Sequence, residues 1–159
     1  MSHIRYLKSA LIAVLLTAAP AWADFESGLE AYTVGSFDQA AREWQPLAEQ
    51  GNKEAQYHLG LLYDEGQGLD RNYDLARFWY LRAAQQGYTD AYFALGDIYA
   101  AGRGTESDRS LAYHWYSMAA ASGHARAKEI AGRYAPKLST QQMAESDRIT
   151  KAWKLAHIN

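Results

Sequence analysis

From residue 53 to residue 123 apolar positions recur with the period of a helix, and the whole pattern is written twice. Ala55, Leu59 and Leu62 share one face of a helix predicted from about Lys53 to Glu65. Leu75, Ala76, Trp79, Tyr80, Ala83 and Ala84 make the stripe of a second helix. A step of 36 residues brings the set back as Ala91, Leu95 and Ile98, then Leu111, Ala112, Trp115, Tyr116, Ala119 and Ala120. Gly66 and Gly102 stand where the first helix of each unit must stop, because glycine accepts a left-handed C-terminal turn cheaply. Gly60 and Gly96 lie inside those helices, where glycine costs about 1 kcal/mol against alanine. That cost, met twice at one phase, predicts close helix–helix contact. Asn72 and Asp108, and one step earlier Ser36, occupy the start of the second helix and are residue types that accept its orphan N–H bonds.

The flanks depart from the pattern. Residues 24–51 read as a degenerate first unit, with Ala40, Trp44, Ala48 and Gly51 answering Ala76, Tyr80, Ala84 and Gly87. Its loop is short, with only Val34 and Gly35 before the cap. Full units span 52–87 and 88–123. A partial unit, 124–135, starts in phase at Ala127 and Gly132 and breaks at Pro136. Residues 136–159 predict a C-terminal capping helix: Ser139 and Gln142 fit a capping box, and Met143, Ile149, Trp153 and Ala156 lie near one face. A single helix pair cannot bury its stripe, whereas stacked pairs shield one another and the terminal ones are atypical. The expected fold is all-α, a short curved α-solenoid of stacked antiparallel helix pairs, about six or seven helices in all.

Ahead of the units, Arg5 and Lys8 precede the apolar run ALIAVLLTAA, and Ala21-Trp22-Ala23 supplies small residues for a cut. This predicts a signal peptide over 1–23, cleaved after Ala23, and a periplasmic or secreted protein of Gram-negative type. The run is shorter than the roughly 20 residues a membrane span needs. No cysteine follows it, which excludes lipid attachment there. Removal takes the basic residues from 16 to 14 against 18 acidic ones, a formal charge near −4. That excludes nucleic acid as a partner, and no basic amphipathic segment marks a membrane surface. The 159 residues include no cysteine, so disulfides and thiolate zinc are excluded and 5 Trp, 12 Tyr and 4 Phe must furnish the core.

Catalytic spacings are missing from the sequence: no G-x-S-x-G, S-x-x-K or H-E-x-x-H occurs. His3, His58, His114, His124 and His157 form no i, i+4 pair and read as solvated or partly packed, with no metal or cofactor expected. Asp64 and Glu65 read as a solvated helix end, since sequence neighbours do not face each other on a helix. Gly66-Gln67-Gly68 and Gly102-Arg103-Gly104 read as helix stops followed by turns.

Taken together, A…LG.LY..G.G……A..WY..AA..G resembles the Sel1-like repeat family, relatives of the tetratricopeptide repeats. The resemblance implies a right-handed solenoid that binds proteins or peptides, with the first helix of each pair lining the concave side. Exported bacterial members look like adaptors in envelope processes. The short first loop and the lack of paired cysteines depart from some relatives. On that footing the candidate groove holds Tyr57, Leu61 and Asp64, echoed by Phe93, Asp97 and Ala100, with Arg133 at the phase of Asp97 closing one end. Core positions keep their chemistry between copies and these do not. Packing of Tyr57 and Phe93 against the neighbouring unit is the competing reading. The expected function is a non-catalytic protein- or peptide-binding adaptor of the cell envelope, with no membrane insertion after signal removal and the oligomeric state open. The alternatives are an envelope hydrolase, β-lactamase-like or peptidoglycan-acting, and a homo-oligomerising structural module.

Overall fold

Each apolar stripe of the repeat lies on a helix. Residues 21–157 are described by the structure, a computed structural model, and the apolar run of the expected signal peptide lies outside the described residues. In chain order the described helices are α1 (Ala21–Thr33), α2 (Phe37–Glu49), α3 (Lys53–Glu65), α4 (Tyr73–Gln85), α5 (Thr89–Ala101), α6 (Arg109–Ala121), α7 (Ala125–Tyr134) and α8 (Thr140–His157). There is no strand among the described residues. These eight α-helices, with a short 3-10 turn at Ala135–Lys137, exceed the expected six or seven. α1 packs on α2, α3 on α4 and α5 on α6; α7 follows α6, and α8 returns to lie on α6.

The helix ends follow side-chain chemistry. Asn72 Oδ1 accepts from the amides of Asp74 and Leu75 at 3.1 and 3.0 Å, and Asp108 Oδ1 from those of Ser110 and Leu111 at 2.8 and 3.0 Å. Ser36 holds the same place but its hydroxyl makes no cap bond. In the short α1–α2 loop its amide is tied to Ala31 O at 2.8 Å, with ψ 62° in place of the extended cap conformation. A second series of starts went unread in the sequence: Asn52 caps α3 and, two repeats on, His124 Nδ1 accepts from Ala127 N to cap α7, while Tyr88 between them makes no side-chain cap bond. Gln142 N donates to Ser139 Oγ and Ser139 N to Gln142 Oε1, so the capping box of α8 forms as expected. Gly66 and Gly102 take φ of 67° and 68° at their C-caps.

The interior glycines are seats for aromatic rings. A Cβ added to Gly60 would stand 2.8 Å from the Tyr80 ring, and one on Gly96 2.5 Å from that of Tyr116. Gly28 repeats the contact beneath Trp44. A fixed 36-residue step misses it because the α1–α2 connection is four residues shorter than the α3–α4 connection, three residues against seven. Gly96→Ala is therefore expected to destabilise by about 1–3 kcal/mol through overpacking, although alanine is the better helix former. Thermal melting checks this, and a rise in Tm would refute the seat.

The two repeat tryptophans do not share one fate. Trp115 is buried in the core built from α4, α5 and α6, whereas Trp79 is only half-buried. Trp115 meets Trp153 of α8 edge-on at 4.8 Å. Trp79 has its edge-on neighbour at 4.9 Å in Phe78 of its own helix and packs against the core of α1, α2 and α3.

Candidate functional site

The groove residues predicted from sequence lie on the first helices α3, α5 and α7, and the structure divides them by task. Tyr57 meets Tyr80 at 5.7 Å and Tyr88 at 5.2 Å between ring centroids. Phe93 meets Tyr116 at 5.7 Å and stacks on His124 at 4.4 Å. Tyr88 and His124 stand at the starts of successive first helices, so these are one inter-unit joint made twice. Burial, then the charge of Asp90, pushes the Tyr57 hydroxyl up to about 12. The competing reading thus describes much of what both rings do, although each remains partly exposed.

Asp64 is neither a groove acid nor a solvated helix end. Its side chain is 5% exposed, and Arg103 Nη1 donates to Oδ1 at 2.9 Å and to Oδ2 at 2.8 Å. The Tyr80 hydroxyl lies 3.5 Å from Oδ2. Burial raises the Asp64 carboxyl more than the Arg103 charge lowers it, so desolvation outweighs the attraction. Arg103 belongs to the turn after α5, which makes the pair a clasp between successive units. The sequence reading saw only a helix stop in Gly102-Arg103-Gly104. A signal was present: the acid at 64 becomes Ala100 in the next copy, and one step beyond Arg103 stands Ser139, not arginine. Arg103→Met is expected to cost about 2 kcal/mol at neutral pH, below the 3–5 of a fully buried pair because Arg103 keeps 31% exposure. The loss should shrink in mild acid, where Asp64 takes up a proton, and with Asp64→Ala added. Denaturant titrations at two pH values check it; a loss independent of pH and of residue 64 would refute it.

The remaining members scatter. Asp97 accepts from the Tyr116 hydroxyl at 2.7 Å, and burial followed by that bond raises the Tyr116 pKa. Leu61, at the same repeat position as Asp97, is half-exposed. Arg133 does not close the strip. It is exposed and lies 3.6 Å from Glu129 of its own helix, one turn earlier, where its charge is already matched. Tyr57, Leu61, Phe93 and Asp97 are what α3 and α5 bring to one strip.

Of the described histidines, His58 and His124 are partly buried and His157 is exposed, as read from the sequence, whereas His114 is a correction. His114 is fully buried, and its Nδ1 lies 2.7 Å from Thr150 Oγ1. Thr150 Oγ1 itself donates to Ser146 O at 2.9 Å, so Nδ1 of His114 carries the proton. Nε2 is buried without a partner among the described residues. Burial, then the Lys154 charge, lowers the pKa to about 4. His58 sits among Phe25, Tyr32, Trp44 and Tyr57, and burial lowers its pKa too. Among the described residues no group of three or more His, Asp or Glu side chains gathers to hold a metal ion. A depression of about 400 Å³ opens where α8 meets the α4–α5 turn, with Tyr92, Met118 and Trp153 in its lining and Lys154 and His157 beside them.

Two 36-residue segments, 53–88 and 89–124, match the Sel1 repeat family. The crystal structure of a protective antigen from uropathogenic Escherichia coli strains, displaying an SLR fold, superposes at a TM-score of 0.80. The match has 24% identity and covers 87% of this chain and 31% of that one, a likeness of fold. A Sel1 repeat protein from Oxalobacter formigenes superposes at a TM-score of 0.65 with 37% identity, covering 69% of this chain and 45% of that one. The chain thus spans less than half the length of either structure. No curated protein matches the chain.

Proposed function

The chain is a Sel1-repeat protein, and from that premise we propose that it is a non-catalytic module binding a protein or peptide partner in the bacterial cell envelope. The observation that carries this reading is the strip on α3 and α5. Leu61 and Asp97 occupy one repeat position and are half-exposed, beside the partly exposed rings of Tyr57 and Phe93. Apolar, aromatic and acidic groups at a regular interval suit an extended segment that presents side chains at intervals of its own. Asp97 is held by Tyr116, which fixes the acid in place before a partner arrives. The signal peptide expected at 1–23 supports an envelope location.

The test leaves the core intact. Wild type and Leu61→Arg are used to recover partners from envelope extract, after matched melting curves confirm that both fold. A partner recovered by wild type and lost from Leu61→Arg supports the strip. Equal recovery of the same proteins by both overturns it.

A further inference from the structure

Successive second helices offer a comparison inside the molecule. On α6 the outer positions are Leu111, His114, Trp115 and Met118. α8 covers them: Thr150 bonds His114, Trp153 meets Trp115, and Trp153 and Met118 line one depression. One repeat earlier, the same positions on α4 are Leu75, Phe78, Trp79 and Arg82; Trp79 packs in part against the core of α1, α2 and α3, while Leu75, Phe78 and Arg82 stay exposed. Leu75 is 38% and Phe78 45% exposed. Trp79 is half-buried with Phe78 edge-on at 4.9 Å, and Arg82 lies 5.5 Å over the Phe78 ring. A further step back, α2 has Gln39, Arg42, Glu43 and Pro46. The fold therefore tolerates a polar outer face, and the exposed apolar side chains of Leu75 and Phe78 on α4 are not a requirement of stacking.

We propose that the outer face of α4 seats an amphipathic helix of a partner protein, lying on α4 as α8 lies on α6. The partner's apolar stripe covers Leu75, Phe78 and Trp79, and a carboxylate on it meets Arg82. Charge argues for that acid. Arg77 is matched by Asp74 at 2.6 Å, whereas Arg82 has no ion pair among the described residues. The α6 template also sets the differences from α8. Phe78 replaces His114, so the partner needs an apolar group where α8 has Thr150. Arg82 replaces Met118, so an acid suits the region where α8 has Lys154. This surface is separate from the strip on α3 and α5, and Leu61→Arg leaves it untouched.

The probe is a labelled synthetic peptide with the sequence of residues 139–157 carrying Thr150→Leu and Lys154→Glu, titrated into the chain by fluorescence polarisation. Saturable binding is expected. Phe78→Asp and Arg82→Glu should each weaken it about tenfold or more. A peptide retaining Lys154 should recover affinity for Arg82→Glu, a charge reversal that a general loss of fold would not produce. Binding unchanged by Phe78→Asp, or no saturable binding, overturns the proposal. So does a dimer seen by light scattering that Phe78→Asp dissociates, since the face would then belong to a second copy.

Discussion

Trp44→Ala is expected to lower the unfolding free energy by about 3–5 kcal/mol, the range for removing a large aromatic side chain from a core. Trp44 is fully buried. Phe25 lies 5.9 Å, Tyr32 5.7 Å and His58 4.7 Å from it between centroids, so it joins side chains of α1, α2 and α3. Its Nε1 donates to Phe25 O at 3.2 Å, and its ring rests on Gly28. Truncation removes the seat, the hydrogen bond and the ring cluster together. α1 packs on the rest of the fold chiefly through α2, so its amides should lose protection from hydrogen exchange first. Denaturant unfolding gives the magnitude. Trp79→Ala, at a half-buried site, should cost less, and an equal loss from both would refute the ranking.

Acid should destabilise the fold through His114. The folded pKa is about 4 against 6.5 for the free side chain. Above pH 6.5 both states are neutral and the stabilisation is complete. As pH falls from 6.5 to about 4 the unfolded chain binds a proton that the folded chain refuses, and about 3 kcal/mol is lost. The physical cause is Nε2, which would become a buried N–H with no acceptor, near the Lys154 charge. His58 adds in the same direction, while Asp64, whose pKa is raised, opposes it. His114→Leu should flatten much of this acid limb in denaturant titrations from pH 7 to 4. A limb of unchanged depth would refute the assignment.

What was legible in the sequence was whatever repeats. The helix stripes, Gly60 and Gly96, the caps Asn72 and Asp108, and the turns at Gly66 and Gly102 recur at a fixed step, and each has one local physical meaning. Gly28 was hidden because the shorter loop moved it out of phase. The clasp of Arg103 on Asp64 was hidden because its members lie 39 positions apart and neither recurs. The burial of His114 was hidden for another reason. It depends on α8 folding back onto α6 instead of extending past α7, and nothing periodic announces where a terminal helix turns. Arg133 failed as a groove residue because phase alone placed it there, while Glu129 one turn away is its partner.

The joint between Tyr57 and Tyr88, repeated between Phe93 and His124, bears on how such a molecule lengthens. Among the described residues, Trp44 ties α1, α2 and α3 together and α8 folds over α6. A duplicated segment finds compatible docking surfaces at that joint. Genetic expansion of this architecture is accommodated by inserting whole 36-residue cassettes near Tyr88, where both halves of the joint already exist.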